Sequence, residues 1–302
     1  MKKNLKINTM KITDAEYPSL LKEIPNAPEM FYLLGKLPKD DIIKVAIVGT
    51  RKAGAAGRRF AKELAQKLTE LGVIIVSGLA MGIDTAAHEG AVLAGGKTIA
   101  VLANGLDTIY PAQNENLAEK ILEFGGAIIS EYKPGTPSFQ NQFLERNRIV
   151  SGLSIATIVI EAPERSGSIV TARLAAEQGR DVFIVPGSID NPNYRGSHQL
   201  IRDGARLVAS IDDIIEDLGL ENSKSNSPAG ELNSKQTQNS KIENIKDENQ
   251  LLIYKTLQES GNPLTIDEII EITKLKTHIA NQSVAFLIIS GIIKETGSGY
   301  SL

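Results

Sequence analysis

The stretch VAIVGTRKAGAAGRRFAKELAQKLTELG, residues 45–72, contains the pattern that decides the fold. It begins with a short apolar, β-branched run, passes through the glycine-rich turn GTRKAGAAG (49–57) and continues with helical period. A second apolar run, VIIVSG (73–78), follows directly. A strand, a helix and a second strand in this order form a βαβ unit, whose two strands lie parallel. We therefore predict a parallel sheet around this segment.

The alternation of apolar runs and helical segments continues along the chain. Near-continuous apolar strands alternating with helices are typical of a parallel sheet covered on both faces, so we predict a doubly wound α/β domain. The further predicted strands are KTIAVLA (97–103), AIISEY (127–132), SIATIVIEA (154–162), DVFIVPG (181–187) and RLVAS (206–210).

The predicted α/β domain spans 42–220, and the sequence outside it divides into three further regions. Residues 1–41 carry the apolar stretches YPSLLKEI and MFYLLGKL and are predicted to be a small N-terminal extension that packs on the core. Residues 221–247 are polar and are predicted to be a disordered linker. Residues 248–302 show three helical segments and a glycine-tipped hairpin, which predict a winged-helix module. This module has few basic residues and no arginine, so both protein contact and DNA contact stay open.

Composition limits the classes of protein. The chain has no cysteine, so disulfides, thiolate nucleophiles and cysteine-based zinc sites are excluded. The N-terminus lacks the apolar core of a signal peptide, and no apolar run approaches the roughly 20 residues of a membrane span, so a cytoplasmic protein is expected. The net charge of −3 argues against coating of duplex DNA through bulk charge. The three histidines, His88, His198 and His278, have no metal-like spacing, so no metal site is predicted.

Arginine is unevenly distributed. All eleven arginines lie in the range from Arg51 to Arg206. Outside this range the chain has lysine but no arginine. The planar guanidinium fork matches phosphate and carboxylate oxygens two at a time, which a lysine ammonium cannot do. We therefore expect several of these arginines to bind an anion, either a ligand or an internal carboxylate.

The strand ends predict where that anion binds, because an open parallel sheet binds its ligand at the carboxyl ends of its strands. GTRKAGAAG is neither GxGxxG nor a Walker loop, so NAD and ATP are disfavoured and no cofactor is predicted. Glycine or serine recurs at other strand ends, most clearly in ERSGSIVT (164–171) at the start of a helix. Amides and hydroxyls there could bind a phosphate, and simple N-capping by serine is the alternative.

Taken in order, the motifs of this chain resemble those of the DNA-processing protein A family, also called DprA or Smf. The resemblance implies an extended Rossmann-like domain that is not an enzyme, binds single-stranded DNA and forms a homodimer. It also implies protection of incoming strands in natural transformation and loading of the RecA recombinase. The motifs are GTR (49–51), SGLAMGID (77–84), NGLDTIYP (104–111), RNRIVSGLS (146–154), ERSGSIVTARLAAEQGRDVFIVPGS (164–188) and GSHQLIRDGA (196–205).

The resemblance further implies the residues of a DNA site. Arg51 should contact a backbone phosphate, and Arg146 and Arg148 should belong to the same pocket, with Asn147 as a hydrogen-bonding neighbour. Phe143 is a candidate for stacking on a base, and a core role for it is equally open. The remaining predicted DNA-binding residues are Gly49, Thr50, Gly78, Gly82, Gly105, Ser166, Gly167, Ser168 and Thr171. No catalytic residue is predicted.

Three positions depart from some relatives: Met81, Ala112 and Gln140 stand where basic residues are also found, which predicts a less basic groove. An alternative hypothesis is that the chain is a nucleotide-processing enzyme of the phosphoribohydrolase type on the same scaffold, with Glu164 or Glu177 as general base. Its PGGxGTxxE signature is missing here. A third hypothesis is that the chain is an adaptor that binds RecA or a transcription regulator and does not bind DNA.

Overall fold

The computed structural model describes residues 6–220, 247–260, 263–289, 293–296 and 299–301 of the 302-residue chain. The chain divides into two compact units near residue 224, and each is described by itself. The predicted linker, apart from Asp247, and the tip of the predicted hairpin lie outside the described residues. Within the described ranges, no helix is both long and apolar enough to cross a membrane.

The first unit is built on a nine-stranded sheet. Strands β3 to β9 lie parallel to one another. Strand β2 pairs antiparallel with β6, and β1 pairs antiparallel with β2. Each of the seven apolar runs predicted as strands contains one strand, so the mostly parallel sheet is confirmed. The strands are β1 (Asn8–Lys11), β2 (Met30–Gly35), β3 (Lys44–Gly49), β4 (Ile74–Ser77), β5 (Thr98–Leu102), β6 (Ala127–Ser130), β7 (Ala156–Ile160), β8 (Asp181–Val185) and β9 (Arg206–Leu207).

Helices cover both faces of this sheet. Alternate residues of β3 enter opposite cores: Ala46 and Val48 pack in one apolar cluster, and Val45 and Ile47 pack in the other. This double burial explains why the central strands are almost continuously apolar, and the doubly wound α/β prediction is confirmed. The helices are α1 (Ser19–Lys22), α2 (Ala55–Glu70), α3 (Ile83–Leu93), α4 (Glu115–Glu123), α5 (Gln140–Gly152), α6 (Gly167–Glu177), α7 (Arg195–Arg202) and α8 (Ile211–Asp217).

The N-terminal segment is part of the sheet itself. Strand β2 pairs antiparallel with β6, with Tyr32 opposite Ser130. Leu21 and Phe31 are fully buried in one of the two cores of the sheet. Residues 8–35 therefore extend the sheet by two strands, which the prediction of an extension packing on the core did not include.

The strand order places a topological switch point at the centre of the sheet. The order is β1-β2-β6-β5-β4-β3-β7-β8-β9, so the chain runs outward from β3 to β6 and then returns to β7 on the other side of β3. Crossover connections diverge at such a point and leave a crevice outside the carboxyl ends of the two strands. The fold therefore provides a ligand crevice between the ends of β3 and β7.

The described residues of the second unit form three helices, α9 (Glu248–Ser260), α10 (Ile266–Thr273) and α11 (Thr277–Ile289). The antiparallel strands β10 (Lys294–Thr296) and β11 (Gly299–Ser301) follow them. Ile253, Ile269 and Leu287 form the centre of its small core. This order of elements is the one expected of a winged helix, and that assignment stays a prediction.

Candidate nucleic-acid interface

A cleft with a volume of about 880 Å³ lies at the switch point. The residues that follow β3 line one side of it, the start of α6 lines the other, and α5 contributes Phe143 and Asn147. The cleft is locally basic in a chain whose net charge is −3. Its charged lining residues are the basic Arg51, Lys52, Arg146, Arg165 and Arg173 and the acidic Asp84 and Glu164.

Aromatic side chains lie beside the basic ones. The guanidinium carbon of Arg51 is 4.7 Å from the centre of the Phe143 ring, a cation–π arrangement. The Tyr110 ring lies 5.6 Å from that of Phe143, and 45 % of Tyr110 is exposed. Arg51, Phe143 and Tyr110, which we call the Arg51 platform, all line the cleft. Phe143, for which a core role was equally open, therefore faces the predicted site.

The start of α6 forms the opposite wall. Ser166 occupies the N-cap position, but its hydroxyl makes no capping bond and lies 2.7 Å from the Ser168 hydroxyl instead. The Gly167 carbonyl accepts hydrogen bonds from Thr171 at 3.1 Å and from the Asn147 side-chain amide at 3.2 Å. A helix start presents amides without intrahelical partners and a partial positive charge. All five of these residues line the cleft. The amides at the start of α6 therefore form a suitable binding position for a phosphate.

Arg146 is buried, with 4 % of its surface exposed. Its Nη1 donates to the Gly78 carbonyl at 2.8 Å and also to the Val101 carbonyl. The buried carboxylate of Asp84 accepts from the Gly78 amide at 3.1 Å. Burial lowers the pKa of Arg146 to about 10, while the charge of Asp84 opposes this shift. Arg146 therefore stays charged at neutral pH and binds the backbone at the ends of β4 and β5.

Arg148 lies outside the cleft lining. Its Nη2 donates to both carboxylate oxygens of Glu131, at 2.7 and 2.9 Å. The two arginines of the RNR motif lie on α5, where residues two apart are separated by about 200° around the helix axis. They therefore point to opposite sides of the helix, and the structure does not bring Arg148 together with Arg51. A DNA contact by Arg148 stays a prediction from the resemblance.

The predicted glycines divide into two groups. Gly49, Gly78 and Gly167 line the cleft, as does Thr50, whereas Gly82 and Gly105 do not. Gly82 has a φ of 88°, and a Cβ there would lie 2.3 Å from the Thr50 carbonyl oxygen. A Cβ on Gly105 would lie 2.5 Å from another carbonyl oxygen. Gly82 and Gly105 therefore allow close backbone packing beside the site.

Four basic or aromatic residues of the cleft were not among the predicted site residues: Lys52, Tyr110, Arg165 and Arg173. Two sequence features could have predicted three of them. Arginine is confined to the sheet domain, which indicates Arg165 and Arg173, and Tyr110 lies in the motif NGLDTIYP. Of the three departures from relatives, only Gln140 is among the lining residues of the cleft. The less basic groove predicted from the departures therefore concerns mainly this position.

The start of α2 is the place where a dinucleotide-binding fold holds its pyrophosphate. Here the buried carboxylate of Glu161 accepts a hydrogen bond from the Gly54 amide at 2.9 Å. A Cβ on Gly57 would lie 2.2 Å from the Glu161 Oε1, so the carboxylate fills the space above the first helical turn. A nucleotide phosphate in this position would meet a negative charge.

His88 is buried beneath the cleft in α3. Its Nδ1 lies 2.8 Å from the Thr98 hydroxyl, which itself donates to the Ile75 carbonyl at 2.6 Å. Burial, and secondly the charge of Arg146, lower the pKa of His88 to about 3. Among the residues that the structure describes, no cluster of side chains could hold a metal ion. We therefore assign His88 a structural role as a neutral imidazole.

The depressed pKa of His88 predicts acid sensitivity. The unfolded chain binds a proton at this residue below a pKa of about 6.5 and the folded chain only below about 3, so stability falls as pH drops through this interval. Between pH 7.5 and 5 we expect His88 to remove roughly 2 kcal/mol of unfolding free energy. Urea denaturation of the parent and of His88→Gln at both pH values measures this. An equally large loss in the variant would assign the pH dependence to other groups.

The fold and the cleft together define a class of protein. This class is a doubly wound α/β protein with a basic cleft at the switch point. Its customary phosphate position at α2 is filled by an internal carboxylate. Residues 8–219 match the model of the family described as DNA recombination-mediator protein A. The chain belongs to this family, and the resemblance found in the sequence is confirmed.

Curated relatives agree with this assignment. Protein Smf of Escherichia coli strain K12 is 45 % identical over 202 residues, which cover 67 % of this chain and 54 % of Smf. DNA processing protein DprA of Streptococcus pneumoniae is 44 % identical over 210 residues, which cover 70 % of this chain and 74 % of DprA. The chain spans about half the length of Smf from E. coli and from Synechocystis. The name of the S. pneumoniae relative describes DNA processing and names no catalysed reaction.

Solved structures also agree. The S. pneumoniae DprA structure has a TM-score of 0.65 and 43 % identity, covering 70 % of this chain and 74 % of its own. DNA processing protein A of Helicobacter pylori has a TM-score of 0.64 and 31 % identity, covering 72 % of this chain and 98 % of its own. The H. pylori structure is described as showing a unique single-stranded DNA binding mode. The Rossmann-like prediction is thereby confirmed for the first unit.

Proposed function

We propose that the cleft between β3 and β7 binds single-stranded DNA. The observation that carries the proposal is the Arg51 platform, which combines an exposed guanidinium with aromatic rings inside a basic cleft. Single-strand binders combine a positive groove for the backbone with aromatic rings on which bases stack. The single-stranded DNA binding described for the H. pylori relative supports the same ligand.

The geometry favours a single strand over a duplex. The aromatic rings line a crevice at the carboxyl ends of β3 and β7, so a base must leave its stack to contact them. A duplex keeps its bases paired and presents only its outer phosphates. We therefore propose tighter binding of oligothymidine than of a duplex of equal length, and a modest dependence on sequence, because phosphates are the same in every oligonucleotide.

Finer parts of the proposal rest on family membership. We propose that the protein acts in the cytoplasm as a homodimer, protects single strands that enter during natural transformation and helps load RecA on them. Light scattering on the purified chain tests the dimer. A RecA-dependent strand-exchange assay, with and without the protein, tests loading. An unchanged exchange rate, at protein concentrations that saturate the strand, would remove RecA loading from the proposal.

The enzymatic alternative gains no support from the carboxylates it requires. Glu164 lies at the cleft but is exposed. Glu177 is the last residue of α6 and is not among the cleft residues. The buried carboxylate of this region, Glu161, is bound by the Gly54 amide and by the Asn193 side chain. A general base is tuned by burial and must reach its substrate. Glu164 is exposed, and neither Glu161 nor Glu177 lines the cleft.

The dependence of affinity on salt tests phosphate contact. Each phosphate neutralised on a single strand contributes about −0.7 to the slope of log affinity against log salt. Contacts by Arg51, Arg165 and Arg173 therefore predict a slope of roughly −2, and Arg173→Gln should flatten it by about 0.7. If the phosphates lie in the cleft alone, Arg148→Gln, which removes the same charge outside the cleft, should leave the slope unchanged. Fluorescence anisotropy with labelled oligothymidine across a range of salt measures all three proteins.

The comparison of the two variants decides between two sites. Equal slopes for the parent and Arg173→Gln, with a flatter slope for Arg148→Gln, would place the phosphates on the Glu131 side of α5. A parent slope near zero would show that the basic lining of the cleft does not contact DNA.

A further inference from the structure

The loop 50–54 presents Arg51 and Lys52 to the cleft, and backbone contacts hold it on one side. The Ile83 amide donates to the Thr50 carbonyl at 3.3 Å. At Gly82 a Cβ would lie 2.8 Å from the Arg51 carbonyl oxygen, so the loop rests directly on the backbone of the turn before α3. An arginine on a loop has many rotamers, so any fixed direction of Arg51 depends on how firmly this backbone is held.

Glu161 holds both ends of this loop. Its carbonyl accepts from the Thr50 amide at 2.9 Å, and its carboxylate accepts from the Gly54 amide at 2.9 Å. Only 2 % of Glu161 is exposed, and its φ of 52° lies in the left-handed region. A non-glycine residue in this conformation and a buried carboxylate both cost stability, so the surrounding contacts must hold them in place.

Asn193 joins a distant segment to the same loop. It lies in the short 3₁₀ turn Pro192–Tyr194 between β8 and α7. Its Nδ2 donates to the Glu161 Oε2 at 3.0 Å and to the Lys52 carbonyl at 3.3 Å. The Tyr194 hydroxyl lies 3.5 Å from the other carboxylate oxygen. Three segments far apart in the sequence therefore meet at the Glu161 carboxylate.

We propose that Glu161 and Asn193 are positioning residues for DNA binding, which act by fixing the loop 50–54 so that Arg51 and Lys52 face the cleft. The proposal rests on the proposed function of the cleft. Neither residue lines the cleft, so neither contacts the strand directly. The carboxylate takes the position that a ligand phosphate has in a nucleotide-binding relative of this fold, and an internal anion there holds the loop in the absence of any ligand.

Asn193→Ala tests the proposal with the least risk to folding, because Asn193 is only half-buried. We expect faster deuterium exchange at the amides of residues 50–54 and about tenfold weaker binding of labelled oligothymidine. In an Arg51→Ala background, Asn193→Ala should change the affinity less than twofold, because its effect passes through Arg51. Glu161→Gln replaces one acceptor oxygen with an amide and should shift exchange in the same direction. Gln199→Ala, which removes an exposed amide bound to Asp203, is the matched control.

The outcomes separate this proposal from the function of the cleft. Unchanged exchange at 50–54 in folded Asn193→Ala and Glu161→Gln would overturn the positioning role. Equal losses of affinity in the parent and Arg51→Ala backgrounds would overturn action through Arg51. If the parent itself fails to bind oligothymidine, the proposed function falls. Faster exchange would then still support fixation of the loop by these two residues.

Discussion

Replacing Arg146 with alanine is expected to lower the free energy of unfolding by about 3–5 kcal/mol, because it leaves buried carbonyls without a donor and a buried carboxylate without a nearby positive charge. The guanidinium donates to the carbonyls of Gly78 and Val101, and its charge offsets the burial of Asp84. After the replacement, two carbonyls lose a donor and a buried carboxylate loses its nearby positive charge. Urea denaturation followed by circular dichroism at pH 7.5 measures the loss.

The pH dependence of this loss identifies its electrostatic part. Burial raises the pKa of Asp84 while Arg146 lowers it, so removal of Arg146 raises that pKa further. Arg146 also lowers the pKa of His88, so this pKa rises as well in the variant. Both changes let the folded variant bind more protons than the folded parent, so the deficit should shrink as pH falls from 8 to 5.

Arg165→Ala is the control for this experiment. Arg165 is exposed at the other wall of the cleft, so its replacement should change the free energy of unfolding by less than about 0.5 kcal/mol. A loss below about 1 kcal/mol in Arg146→Ala, together with weaker DNA binding, would make Arg146 a ligand-binding residue rather than a structural one.

The parallel part of the sheet could be predicted because its strands are buried on both faces. Such strands form continuous β-branched runs, which stand out from helical period without any knowledge of their neighbours. Strands β1 and β2 lack this signal. NTMK is largely exposed, and Tyr32 in β2 becomes part of the sheet only through its antiparallel pairing with β6, about 100 residues away in the chain. Pairing over such a separation is set by tertiary structure.

The site could be predicted where it depends on strand ends, and not where it depends on helix phase. Arg51 and the start of α6 follow β3 and β7, and the carboxyl ends of neighbouring parallel strands meet at one edge. Arg146 and Arg148 appear equivalent in the sequence, but α5 turns one toward the carbonyls of Gly78 and Val101 and the other toward Glu131. Tyr110 reaches the cleft through the loop after β5, and no local pattern fixes that path.

Arg51→Ala is expected to weaken binding of oligothymidine by about 1–3 kcal/mol, or about 5-fold to 150-fold, without unfolding the protein. Arg51 is exposed, and its guanidinium contacts the Phe143 ring rather than a carboxylate. Its removal therefore leaves no buried charge unpaired, and the cost falls on the ligand. Anisotropy titrations of the parent and the variant at matched salt measure it, and an unchanged dissociation constant would remove Arg51 from the site.

An abasic oligonucleotide of equal length separates phosphate contact from base stacking. Arg51→Ala should weaken binding of oligothymidine and of the abasic strand by similar factors, because both carry the same phosphates. Tyr110→Leu removes an exposed ring that can stack on a base, and stacking contributes about 1–3 kcal/mol per base. The Tyr110→Leu variant should therefore bind oligothymidine more weakly and bind the abasic strand as the parent does. If Tyr110→Leu weakens both equally, Tyr110 shapes the cleft without stacking. If Arg51→Ala spares the abasic strand, Arg51 binds bases instead of phosphates.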